Sequence, residues 1–223
     1  MGSSEEEKSD PQPSDGADFV TITVPSGQKF AAHAHMLTYH SEYFNRALNS
    51  RFREATTRTL DLSVHATEAT VSTFVKWMYS KNMDFLNGIG EAGMAYDILF
   101  DSVSDKDAVE SWLFGDYIQA TSFRNDLLFL LYFRRHCFNH NVAGDIWDRI
   151  PLESKLRPFL VSLLCRRIIW LDDVDMLLES LPPTLVLEVS KRVYNRMTRT
   201  VPRYSYSSEE ILDFKIEDHL EDV

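Results

Sequence analysis

The sequence predicts an α+β fold: a small sheet of short strands packed with helices, continued by an all-α region. Three observations carry this. Val20, Ile22 and Val24 alternate with Thr21 and Thr23, the period of a half-buried strand. Apolar side chains from Met36 to Leu48 then recur at three and four residues, the spacing of a helix face. From Asp107 to about residue 202 helical spacing continues almost without a break.

The elements follow in order. Residues 1–17 are rich in Ser, Glu, Asp and Pro and hold no large apolar side chain after Met1, so they are expected to be disordered. After the first strand, Pro25-Ser26-Gly27-Gln28 supplies turn chemistry, and Lys29–Ala32 returns as the second arm of a hairpin. Met36, Leu37, Tyr39, Tyr43, Phe44, Ala47 and Leu48 read as one helix. A loop holding Phe52 and Glu54 leads to a short strand, Thr59–Leu62. Thr67 is placed to cap a helix with Val71, Phe74, Val75 and Met78 on its apolar face and Glu68 in its first turn.

Residues 81–107 mix Asn, Gly, Asp and Ser with scattered apolar side chains and read as a partly packed insertion. Beyond it, Val109, Trp112, Leu113, Tyr117 and Ile118 form one helical face. Leu127, Leu128, Leu130, Leu131 and Phe133 make a nearly all-apolar, buried helix. A junction follows at Asp145–Trp147 and Pro151–Leu152, then a helix with Leu156, Leu160, Leu163, Leu164 and Ile168. Asp172 or Asp173 is positioned to cap the next, with Val174, Leu177, Leu178 and Leu181. Pro182-Pro183 ends that helix and opens another with Leu185, Val189, Val193 and Met197 in register. The domain organisation expected is therefore a disordered acidic segment (1–17), a mixed α+β domain (18–128) with an insertion at about 81–107, a helical extension (129–202) and an acidic tail (203–223). In that tail Ile211, Leu212, Phe214, Ile216 and Leu220 sit among acids, as a short docking helix or a disordered segment.

The 223 residues carry a net charge of −11, placed mostly at the two ends. Residues 1–17 hold five acids and one Lys, and residues 207–223 hold seven acids and one Lys, which leaves −1 for the stretch between. No basic stripe suited to neutralising phosphates is present, so nucleic acid is not an expected partner. Arg134–Arg135 and Arg166–Arg167 read as solvated helix faces. No apolar run reaches the length of a membrane span, and the first residues lack the basic start and apolar stretch of a secretion signal. Cys137 and Cys165, each in an apolar helical run, read as buried, reduced thiols. Together these give an expectation of an intracellular protein, cytoplasmic and/or nuclear.

Catalytic patterns do not emerge. His33, His35 and His40 lie close in sequence, as do His136, Cys137 and His140, but neither trio offers the four converging ligands of a structural zinc site. Nucleophile elbows, phosphate loops and dinucleotide fingerprints are absent from the sequence. The expectation is a non-enzyme with no cofactor and no metal.

One constellation is more specific. Phe30-x-x-His33-x-x-x-Leu37-x-x-x-Ser41-x-Tyr43-Phe44 is followed by Phe52-x-Glu54, by Leu60-x-Leu62 and by Phe74-x-x-Trp77-Met78-Tyr79. A helix pair in Trp112–Leu127 completes the series. This order and spacing resemble the BTB/POZ domain. The chain departs from the family in having Ala34 where a basic residue usually follows the His, and in the length of 81–107. No zinc-finger or Kelch segment follows; residues 129–202 look like the helical extension of the stand-alone BTB proteins common in fungi.

On the residues alone, Phe30, Leu37, Tyr43 and Phe44 are core positions, His33 is a structural His bonded to nearby backbone, and Ser41 bonds backbone at the close of the helix. The resemblance implies a protein–protein interaction module. It places a partner site at Phe52 and Glu54, for the cullin-type scaffold of a ubiquitin ligase, with an unknown substrate protein held elsewhere. The competing reading of those two residues is a Phe that caps the small core beside a solvated Glu. Resemblance also places a candidate dimer face at Met36, Tyr39 and His40, whose bland alternative is packing on the following helices. The rival function is an oligomerising scaffold, in transcriptional regulation, with no ligase link.

Overall fold

A computed structural model of the chain describes residues 18–62, 64, 66–81, 103–135, 137–168 and 174–198. The expectations for residues 1–17, 82–102 and 203–223, and for capping by Asp172 or Asp173, fall outside the described residues. Two compact units form, one from residues up to 101 together with 114–123, the other from 102–113 and 124 onward.

In the first unit, β1 (Phe19–Thr23) and β2 (Lys29–His33) pair antiparallel with Ile22 opposite Phe30. The turn between them is closed by Gly27 N–H donating to the Val24 carbonyl at 2.9 Å, with Gly27 at φ +80°, a conformation that costs glycine little. β3 (Thr59–Asp61) pairs parallel to the other edge of β1, Ile22 opposite Leu60, so the strand order is β2-β1-β3. Val20, Ile22, Val24, Leu60 and Leu62 are all buried, which is the alternation read from the sequence turned into one apolar face.

The expected single helix after β2 is two. α1 (Ala34–His40) stops at Ser41, whose backbone is extended at φ −145°, ψ 121°, and α2 (Glu42–Leu48) begins there. Ser41 caps α2: its Oγ accepts the Phe44 N–H at 3.2 Å and donates to the Ile118 carbonyl at 2.6 Å. A serine at this place competes with the helix for its own hydrogen bonds, which is why apolar spacing alone misses the break. The expected Phe52–Glu54 loop is also partly helical, with α3 at Arg53–Thr57.

α4 (Glu68–Lys81) opens with a reciprocal cap. Thr67 Oγ1 accepts the Thr70 N–H at 3.2 Å, and Thr70 Oγ1 accepts the Thr67 N–H at 2.9 Å. Val71, Phe74, Trp77 and Met78 are buried and Val75 is half-buried, so Trp77 takes a core place that the sequence reading left off this face. Phe74 is the centre of the aromatic core, with ring centroids 6.0 Å from Phe44, 5.9 Å from Trp77, 6.1 Å from Phe114 and 5.2 Å from Phe123. Phe114 and Phe123 come from α5 (Asp105–Tyr117) and α6 (Thr121–Phe133), helices that each contribute to both units. The tight turn between them, with Gln119 at φ 54°, presents the Ile118 and Gln119 carbonyls to the first N–H groups of α2.

The second unit holds the start of α5, most of α6, and α7 (His140–Ile146), α8 (Leu156–Ile168), α9 (Val174–Glu179) and α10 (Pro183–Thr198). A 3-10 turn, Trp147–Arg149, follows α7. The sequence reading saw a junction here and not α7, whose N-terminus Asn139 caps by accepting the Asn141 N–H at 3.1 Å. Leu127, Leu128, Leu130 and Leu131 are fully buried, as expected, but Phe133 is exposed at the end of α6. Pro183 opens α10, where its missing N–H costs nothing. Arg149 and Glu110 form a two-point ion pair, Nη2 to Oε2 at 2.8 Å, which holds the Arg149 guanidinium above its ordinary pKa.

Two further expectations are corrected. Cys165 is buried, but Cys137 is exposed in the turn after α6. The Arg134–Arg135 pair is not simply solvated: Arg134 donates to the Val103 carbonyl, and the Arg135 guanidinium lies 4.4 Å from the Tyr132 ring, whose neighbourhood Arg166 shares at 5.4 Å.

Candidate protein-interaction surfaces

The first surface is built at the end of α2. Ser50 Oγ donates to the Ala47 carbonyl at 3.4 Å and accepts the Phe52 N–H at 3.2 Å, a local turn that holds the backbone entering α3. Phe52 stands at the helix entrance with extended backbone and 64% of its surface exposed, between exposed Arg51 and Arg53. The reading of Phe52 as a cap on the small core is thereby set aside. A large apolar ring held in solvent on an ordered turn is a feature that a partner can cover.

Glu54 is different. It is half-buried in the first turn of α3, and its charge reaches Tyr43 on α2. The Tyr43 hydroxyl is pushed well above the usual tyrosine range, first by burial, then by its hydrogen bond and field from Tyr117, then by Glu54. The Tyr43 and Tyr117 rings lie 5.2 Å apart. Glu54 therefore helps set the environment of a half-buried tyrosine while Phe52 faces water. α3 ends in Arg58 at φ 50°, whose N–H donates to the Glu54 carbonyl at 2.9 Å and whose carbonyl accepts the Thr21 N–H at 2.9 Å. The Arg58–Asp18 ion pair at 2.7 Å adds a second tie to the start of β1. The exposed Phe52 is thus mounted on the sheet through α3.

The candidate dimer face is narrower than the sequence suggested. Met36 is fully buried and belongs to the core of the first unit. Tyr39 is 42% exposed, and its ring meets His40 edge-on at 4.8 Å. His40 is half-buried and leans on Trp77 at 5.0 Å. The spacing of Met36 one turn before His40 put both on one helix face without saying which edge of that face is covered.

His33 is a structural residue, though its ring partner is a side chain and not the backbone. Its Nδ1 is 2.7 Å from the Tyr79 hydroxyl, and its ring stacks obliquely on Phe19 at 4.2 Å. Among the described residues no group of His, Cys, Asp or Glu has the arrangement to hold a metal ion, and no helix is long and apolar enough to cross a membrane.

The second surface is a cleft of about 780 Å³ in the second unit, between the 3-10 turn, α8 and α10. Its architecture depends on Arg157. That side chain lies 4.3 Å over the buried Trp147 ring and donates to the Ile150 carbonyl at 2.9 Å and the Trp147 carbonyl at 3.1 Å. Trp147 in turn donates from Nε1 to Thr184 Oγ1 at 3.1 Å, fixing α10 to the turn. Val161 lines the cleft from α8, while Leu152 and Leu187, 83% and 54% exposed, stand at its edges. No sequence signal marked this cleft, because its apolar residues come from three separate elements.

The first unit is thus a three-stranded sheet with β3 parallel to β1, packed with short helices and presenting an exposed aromatic on a braced turn. Residues 12–100 match the family model for the BTB/POZ domain, and the chain therefore carries a BTB/POZ domain. BTB/POZ domains are protein–protein interaction modules, so protein partners are implied. No curated protein matches the chain.

Proposed function

We propose that the protein is a non-enzymatic adaptor whose BTB/POZ domain docks a cullin-type ubiquitin-ligase scaffold through Phe52, while its helical unit holds a substrate protein. The observation that carries this reading is the 64% exposure of Phe52 on a turn tied to α2 by Ser50 and to the sheet through Arg58. Glu54 supports the docking element from within by its position in α3. The work is done inside the cell, in the cytoplasm or nucleus. Co-precipitation of the full chain with a cullin tests it: Phe52→Ala with Glu54→Ala abolishes capture, and capture unaffected by the pair contradicts the reading.

The alternative is a self-associating scaffold without a ligase link, favoured by the exposed Tyr39. Light scattering on wild type and Tyr39→Asp separates the two, and a stable wild-type monomer counts against self-association. Met36→Asp is unsuited to this test, since it places a charge in the core.

A further inference from the structure

We propose that the exposed face of α10 pairs antiparallel with the same face of a second copy of the chain. This goes beyond the adaptor reading and does not depend on what the first unit binds. α10 has two unlike sides. Leu185 and Val189 are buried against α8, where Cys165 Sγ lies 3.8 Å from the Val189 carbonyl. On the opposite side Thr184, Leu187, Glu188, Lys191, Tyr194 and Asn195 are all exposed. At helical spacing these positions fall in one stripe about 120° wide. Leu187 and Tyr194, 54% and 67% exposed, stand two turns apart on one edge of it. Leu152, on the turn beyond the cleft, adds a third apolar side chain in solvent nearby. Such a patch on an ordered helix marks an interface.

The charges of the stripe point to its own copy as the occupant. It carries one acid and one base, so two copies meet without net repulsion. Glu188 and Lys191 already pair within the helix at 3.0 Å, and both are so exposed that the pair contributes little alone. A two-fold axis crossing α10 between Val189 and Ser190 lays two copies antiparallel. Glu188 of each copy then stands level with Lys191 of the other, and the two pairs merge into a network of four charges. The same axis brings Leu187 of each copy within one helical turn of Tyr194 of the other. The apolar edges therefore meet each other while the charges alternate beside them. The resulting dimer carries two Phe52 surfaces, so it holds a target with two docking sites more tightly than one chain does.

Sedimentation velocity of the full chain, from micromolar to sub-millimolar concentration, tests this. Wild type dimerises as concentration rises. Leu187→Asp weakens the dimer at least about tenfold with the unfolding midpoint unchanged, because the side chain is exposed. Glu188→Lys alone and Lys191→Glu alone weaken it too, since each sets like charges across the axis. Mixed in equal amounts, the two single variants dimerise with each other, and a chain carrying both exchanges dimerises with itself. Each single variant has lost the pair within its own helix, so recovery on mixing reads contacts between copies alone. A wild type that stays monomeric overturns the proposal. So does a dimer that Leu187→Asp leaves intact, or charge variants that do not recover on mixing. A dimer that Tyr39→Asp abolishes and Leu187→Asp spares lies on the first unit, and that result overturns it as well.

Discussion

The Tyr79 hydroxyl accepts the backbone N–H of His33 at 3.0 Å and lies 2.7 Å from Nδ1 of the same residue. One side chain at the end of α4 thus satisfies both the last backbone donor of β2 and the ring that begins α1. This joins the two most distinctive residues of the family pattern across 46 positions of sequence.

Tyr79→Phe keeps the ring and removes the hydroxyl. A half-buried N–H then loses its partner, and the cost is about 1–2 kcal/mol. Urea unfolding should show a lower midpoint with an unchanged slope.

Ser41 joins α2 to the α5–α6 turn by accepting from Phe44 and donating to Ile118. Ser41→Ala loses a helix cap and one of the two hydrogen bonds to the Ile118 carbonyl, which keeps the Tyr43 N–H, for about 1–2 kcal/mol. Exchange of the Phe44 amide should accelerate by more than that of β1 amides, since the opening is local.

Alkaline pH should weaken the first unit through Tyr43. Its folded-state pKa is raised, mainly by burial. The folded form keeps its proton while the unfolded chain begins to lose it at the ordinary tyrosine value, about 10. Stability from this source is complete below pH about 10 and falls as pH rises above it. Thermal unfolding across pH 8–11 should show this decline, and Tyr43→Phe should flatten it.

Arg157→Lys tests the second unit. Lysine keeps the charge but cannot reproduce both carbonyl bonds and the planar stack on Trp147. A loss of about 1–2 kcal/mol is expected, visible as a red shift of tryptophan emission at lower denaturant.

Much of the fold was legible because it is local. The alternation of Val20, Ile22 and Val24, the Pro25–Gln28 turn, the Thr67 cap and the Pro183 helix start each follow from chemistry within a few residues. What escaped is long-range or competitive. Ser41 breaks a helix because Ile118, far along the chain, gives its hydroxyl a second partner. Phe133 reads as core by hydropathy, yet it falls at the helix end where cover runs out. At the candidate site, Phe52 could be named from its motif and its charged neighbours. The coupling of Glu54 to Tyr43 could not, since it needs α2, α3 and α5 brought together. Met36 and Tyr39 looked equivalent in spacing, and burial alone separates them.

The account rests on Phe52 as the anchor of a protein interface. Its most direct test is calorimetric titration of the purified full chain with a purified cullin scaffold, comparing wild type with Phe52→Ala. Binding by wild type that weakens at least about tenfold in the variant, with unfolding midpoints unchanged, is the predicted result. Equal affinity of the two proteins, or no heat of binding from wild type, would contradict it.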